Sequence, residues 1–144
     1  MLSPLPVCYT LFMTAGYRHN RGSVVTLKYH LIWSPRRRRK VLVGAVAHRL
    51  EALLREKAKE LCVEIEHLAI RPDHLHMFVN APPSLAVSQL VYRFKSHTSR
   101  VLRQEFAHLQ KMPSMWTTAY FASTAGRVSE ATIHNYIEAQ STRA

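Results

Sequence analysis

The chain has 144 residues, 47% of them hydrophobic and 20% charged, which suits one globular domain around a single core and excludes a mainly disordered chain. Lys and Arg number 20 against 9 Asp and Glu, a net charge of +11, so the surface carries a broad positive field whose natural partner is a polyanion. Nucleic acid comes before an anionic membrane surface, because each phosphate neutralised by Lys or Arg releases counterions.

The elements follow in chain order. Residues 1–21 show no period of 2 or 3.6 and are read as a disordered arm ahead of one domain spanning 22–144. Val24 to Trp33 is rich in β-branched and aromatic residues and roughly alternates, which predicts a strand with Leu27, Tyr29, Leu31 and Trp33 on one face and His30 on the other. Ser34-Pro35 ends it, and Arg36, Arg37, Arg38, Arg39 and Lys40 follow, a run that is either a solvated loop or a phosphate-contacting segment. Gly44 to Leu61 is an amphipathic helix with Val46, Leu50, Leu53, Leu54, Ala58 and Leu61 on its apolar face. Val63 to Ile70 and Leu75 to Val79 are strands joined by the turn residues Arg71-Pro72-Asp73, hence a hairpin. After Pro82-Pro83, Ser84 is the expected cap of a long helix with the stripe Val87, Leu90, Val91, Phe94, Thr98, Val101, Leu102 and Phe106, and with Arg93, Lys95, Arg100 and Arg103 on its polar side. Thr117 to Ser123 reads as a fourth strand, and Ser129 to about Thr142 as a final helix. The order β-α-β-β-α-β plus one helix predicts an α+β domain of the ferredoxin-like type, the layout also used by RNA-recognition modules.

Two cysteines, Cys8 and Cys62, supply neither a disulfide framework nor a Cys-based zinc site. No apolar run approaches the roughly 20 residues of a membrane span. The N-terminus lacks the basic start of a signal peptide, so the expected location is the cytoplasm.

Chemistry is concentrated in two short motifs. His74-Leu75-His76 lies in a predicted strand, where residues two apart project from the same face, as a two-imidazole metal site requires. Alone the pattern is weak, since nine His in a chain of this length yield roughly 0.6 such pairs by chance. Tyr136 and Gln140 stand four apart on the final helix, on one face. A phenol with an ordinary pKa of ~10 attacks only an activated electrophile, such as a phosphate beside a divalent metal. Two imidazoles and a Gln carbonyl are donors suited to Mn²⁺ and able to hold Mg²⁺ together with water and phosphate oxygens.

The stretches Tyr29-His-Leu-Ile-Trp33, Arg71-Pro-Asp-His-Leu-His-Met-Phe-Val79, Leu90 to Leu102 and Tyr136-Ile-Glu-Ala-Gln140 resemble the single-tyrosine HUH transposases, the TnpA-like enzymes of the smallest bacterial and archaeal insertion sequences. The resemblance runs from about Ser23 to Ser141 and is most specific where Pro-Asp-His-x-His and Tyr-x-x-x-Gln occur together. It implies a divalent metal, Mg or Mn, held by His74, His76 and Gln140, and a nucleophile at Tyr136. It also implies a homodimer in which the tyrosine helix of one subunit serves the other's His-x-His site, and a DNA transposase that cuts and rejoins single-stranded DNA at hairpin-marked ends through a 5′-phosphotyrosine. Arg36, Arg37, Arg38, Arg39 and Lys40, with Lys95 and Arg100, are the expected contacts to the DNA backbone. Two alternatives stand beside this reading. One is a domesticated HUH nuclease that processes repeated palindromes. The other is a non-catalytic single-strand binder, which would stack bases on sheet aromatics but lacks the glycine-aromatic signature of that class.

Overall fold

The computed structural model describes residues 23–124 and 135–139, together with the backbone of 12–14 and 17–20. The N-terminal residues form three short strands, β1 (Phe12–Thr14), β2 (Tyr17–Asn20) and β3 (Ser23–Val25), in an antiparallel meander. Residues 12–14 and 17–20 of the expected arm thus lie in β1 and β2, while residues 1–11, 15, 16 and 21 lie outside the described ones. Short three- and four-residue strands carry too few side chains to show a period, which is why the sequence pattern hides them.

The main sheet contains β4 (Lys28–Trp33), β5 (Glu64–Arg71), β6 (His74–Asn80) and β7 (Phe121–Ser123), all pairs antiparallel, in the order β5-β6-β4-β7. Strand β6 therefore returns between β4 and β5, as in a split βαβ unit. Helices α1 (Gly44–Glu60) and α2 (Val87–Glu105) pack on one face and give the expected α+β class. Between sheet and helices lies the core. Leu31, Trp33, Leu75, Met77 and Val79 point into it from the strands, and Leu50, Leu53, Leu54, Leu90, Phe94 and Leu102 meet them from the helices. Each such side chain contributes roughly 1.5–3 kcal/mol by leaving water.

Three boundaries differ from expectation for identifiable reasons. The single strand predicted over Val24 to Trp33 divides into β3 and β4, and the carbonyl of Leu27 between them accepts from the Ala81 amide (2.8 Å). Helix α2 begins at Val87, not at Ser84, because Leu85 N–H closes a turn onto the Pro82 carbonyl; Ala86 is the N-cap, its amide satisfied by Gln89 Oε1. Strand β7 is only three residues because the backbone ahead of it is committed elsewhere. Thr117 N–H donates to the Ser34 carbonyl, and the carbonyls of Thr117 and Ala119 accept from Lys95.

Candidate active site

The second face of the sheet carries no long helix among the described residues, and the alternation of strand side chains sends a mixed set of histidines, apolar residues and a serine to it. On β6 these are His74, His76 and Phe78, and on β4 His30 and Ile32. On β7 they are Phe121 and Ser123, which pair with Ile32 and His30. A register irregularity between Ile65 and His67 on β5 sets His67 opposite Phe78 and Ala69 opposite His76, so His67 also joins this face. Ile32 is the registered partner of both His76 and Phe121. One cross-strand row therefore runs from the second histidine, across β4, to the aromatic that receives Tyr136.

The histidines form a tight group. His30 Nδ1 and His76 Nε2 are 3.1 Å apart, with their rings stacked at 5.3 Å, and His30 also stacks on Phe78 at 4.4 Å. The His67 ring meets His76 edge-on at 5.9 Å. Burial pushes the His76 pKa down to about 4, and the neighbouring His30, His67 and His74 add to the effect, so His76 is a neutral imidazole with a lone pair to offer. His74 is held differently. Its Nδ1 lies 2.9 Å from Asp73 Oδ1, an arrangement in which Nδ1–H donates to the carboxylate and Nε2 is left as the acceptor or metal donor.

Asp73 connects this pair to the rest of the face. Burial works against its ionised carboxylate, but hydrogen bonds from His74 and Arg38 outweigh it and hold the pKa below the ordinary value. Arg38 Nε donates to Asp73 Oδ2 at 2.6 Å, and its Nη1 donates to Glu138 Oε1 at 3.1 Å and to the Ile137 carbonyl at 3.5 Å. Residues 135–139 are helical and are called α3 here. Ile137 is buried, and the Tyr136 ring rests against Phe121 with centroids 5.7 Å apart. The rest of the predicted Ser129 to Thr142 helix, Gln140 included, lies outside the described residues.

Among the described residues no three His, Cys, Asp or Glu side chains converge into a metal cage. The donor chemistry nevertheless fits a divalent ion that takes two imidazoles and completes its shell elsewhere. His74 and His76 project from one strand face, one oriented by a carboxylate and the other neutral by burial.

The basic residues do not behave as one group. Arg37, Arg39, Lys40 and Arg100 are exposed. Arg36 is half-buried, with its amide on the Met115 carbonyl and its Nη1 on Ser114 Oγ. Arg38 is occupied by Asp73 and Glu138, and Lys95 by two backbone carbonyls, at 2.7 Å (Thr117) and 2.9 Å (Ala119). Burial lowers the Lys95 pKa to about 8. Arg38 and Lys95, both expected at the DNA backbone, thus each make internal contacts. Arg37 and Arg38 also sit in the left-handed region (φ 57° and 55°), a cost of about 1–2 kcal/mol each for a residue with a Cβ. The segment is held in place by Leu42 N–H on the Pro72 carbonyl (3.0 Å), which ties it to the β5-β6 turn.

Sequence reasoning placed His74, His76 and Tyr136 and noted His30 on the opposite strand parity. It took Asp73 only as a turn residue and left His67 unassigned, because the register irregularity that turns His67 onto this face has no mark in the sequence.

Residues 23–140 match the family model described as "Transposase IS200 like". The chain belongs to the IS200-like transposase family. It is 32% identical over 126 residues to the ISDra2 transposase TnpA of Deinococcus radiodurans, covering 85% of this chain and 90% of that one. It is 28% identical over 116 residues to the transposase for insertion sequence element IS200 of Salmonella typhimurium, covering 78% of this chain and 76% of the relative. Among solved structures, a candidate transposase from Deinococcus radiodurans superposes with a TM-score of 0.79 at 33% identity, covering 85% of this chain and 96% of that one. The structure of a REP-associated tyrosine transposase bound to a REP hairpin shares the fold, with a TM-score of 0.50 at 16% identity, covering 81% and 67% of the two chains. In this IS200-like transposase, no helix among the described residues is long and apolar enough to cross a membrane.

Proposed function

We propose that this transposase cleaves and rejoins single-stranded DNA at hairpin-marked transposon ends through a 5′-phosphotyrosine on Tyr136. The observation that carries the reading is the shared row on the open face. Tyr136 packs on Phe121, and Phe121 and His76 are registered to the same residue, Ile32, two strand spacings or about 10 Å apart. In this reading the scissile phosphate lies along that row, between the Tyr136 helix and the imidazoles.

Tyr136 supplies the nucleophile. Its phenolic oxygen forms a bond to phosphorus as the bond from phosphorus to the 3′-oxygen breaks; the phenol gives up its proton and the departing 3′-oxygen gains one. One phosphodiester is exchanged for one phosphotyrosine, so no nucleotide cofactor is needed and the 3′-hydroxyl of the strand to be joined can reverse the link. His74, His76 and Gln140 are the residues proposed to hold a divalent metal, Mg or Mn, which when bound supplies Lewis-acid polarisation of a phosphate oxygen. Asp73 fixes the tautomer of His74, and His30 and His67 pack against His76. Arg36, Arg37, Arg39, Lys40 and Arg100 are proposed to meet the DNA backbone and position it without reading sequence.

Within one chain α3 docks on its own sheet. The homodimer that we propose exchanges these helices between two such sheets, so that each site is shared. The domesticated alternative, a nuclease for repeated palindromes, has only a fold-level likeness at 16% identity on its side, against 32% to a transposase. Incubation with a 5′-hairpin single strand and Mn²⁺, followed by a denaturing gel, tests the proposal. We expect a covalent protein–DNA band with the wild type and none with Tyr136→Phe, while DNA retention is preserved; a band of equal strength in the variant contradicts it.

A further inference from the structure

Arg38 belongs to the basic run expected at the DNA backbone, and its guanidinium is bonded within the protein to Asp73 and Glu138. We infer that Arg38 is a positioning residue that couples the docking of the tyrosine helix to the orientation of the His74 imidazole. The inference rests on the reading of Tyr136 and His74 given above.

A continuous path of contacts supports it. The Ile137 carbonyl and Glu138 Oε1, one and two residues after Tyr136, accept from Arg38 Nη1; Arg38 Nε reaches Asp73 Oδ2; and Asp73 Oδ1, the other oxygen of that carboxylate, meets His74 Nδ1. The planar guanidinium meets acceptors on two separate elements through two different nitrogens, Nε and Nη1, where a lysine would offer one. The side chain is mostly screened, 24% exposed against 13% for Asp73, so solvent does little to weaken that arm. The backbone tells the same story. Two consecutive arginines are held at positive φ in a turn pinned by Arg36 N–H to Met115 and Leu42 N–H to Pro72. A loop that only presented charge to solvent would not need that conformation, and strain of this kind persists where surrounding contacts over-determine it.

The path makes a statement that two independent ion pairs would not. A change at Glu138, which meets a different guanidinium nitrogen from Asp73, should be felt at His74. The informative variant is therefore Glu138→Gln, studied at fixed pH and without metal. Nitrogen-15 NMR of the imidazoles reads the tautomer of His74, and hydrogen exchange reads the amides of 135–139. We expect exchange in 135–139 to quicken by roughly fivefold or more, as local opening becomes easier. We also expect the His74 signal to move away from the Nδ1–H tautomer, with Arg38→Ala producing larger changes in both. Manganese calorimetry should follow, since loss of a partner behind a ligating His costs about 10–100-fold in affinity in typical sites. Arg38→Lys should restore one arm only, and it carries the test with Glu138→Gln if Arg38→Ala does not fold. A His74 signal unmoved in Glu138→Gln, whether or not the helix loosens, overturns the coupling. A wild type that neither binds Mn²⁺ nor forms the covalent adduct instead counts against the function proposed above, so the two failures are distinguishable.

Discussion

Lys95 offers the sharpest test of whether a basic residue serves the fold or the DNA. Its ammonium donates to Thr117 and Ala119 carbonyls at 2.7 and 2.9 Å and lies 5.8 Å from the centre of the Tyr120 ring, binding α2 to the loop that delivers β7. Lys95→Met keeps the aliphatic stem and deletes the charge, leaving two carbonyls short of a donor. Hydrogen bonds to charged groups are worth about 1.5–3 kcal/mol each, and the cost of burying the ammonium offsets part of that. We expect a net loss of about 2 kcal/mol, or about 4–8 °C in Tm for a chain of this size. Urea or thermal denaturation measures it, and pH adds a second signature. The folded pKa of about 8 lies below the ordinary lysine value of ~10.4, so between these values the unfolded chain binds more protons. Wild-type stability relative to Lys95→Met should therefore rise as pH increases from 8 towards 10. Unchanged stability combined with a large loss of DNA affinity at low salt would refute the reasoning and return Lys95 to the DNA contacts.

Trp116→Phe removes the indole N–H that donates to the buried Thr98 hydroxyl at 3.0 Å, and should cost about 1–2 kcal/mol in denaturant titrations with DNA binding preserved. His74→Ala and His76→Ala should each abolish Mn²⁺ binding by calorimetry with little change in Tm. Arg37→Ala with Arg39→Ala should weaken hairpin and unrelated single strands by similar factors and flatten the salt dependence by about 2 in slope at most; a loss confined to the hairpin contradicts a backbone role. Mixed Tyr136→Phe and His76→Ala subunits should recover activity after exchange if sites are shared, and exchange without recovery contradicts the shared-site homodimer.

The fold was legible wherever burial imposes a period. The α1 face and the α2 stripe from Leu90 to Leu102 reappear as buried rows, and of the β4 residues Leu31 and Trp33 join the core. Strand parity also put His74 and His76 together and His30 on the face away from Leu27, Tyr29 and Leu31; that the three share one side of the sheet comes from the register of β4 with β6. The illegible parts depend on contacts between residues far apart in the chain. Nothing local distinguishes Arg38, which reaches Asp73 and Glu138, from Arg37 and Arg39, which face solvent. Lys95 reads as one more cation on a polar helix face until the loop beyond Pro113 folds its carbonyls over it. The register irregularity in β5 brings His67 beside His76 by a backbone event that side-chain pattern does not encode.

The central claim is that Tyr136 is the residue joined to DNA, and peptide mapping of the covalent adduct tests it most directly. Six tyrosines are available, Tyr9, Tyr17, Tyr29, Tyr92, Tyr120 and Tyr136. After reaction with a single-stranded hairpin substrate, nuclease trimming and proteolysis, mass spectrometry should find the residual nucleotide on the peptide containing Tyr136 and on no other. A nucleotide on Tyr120 or Tyr29, or an adduct mapped to a residue that is not tyrosine, would contradict the account.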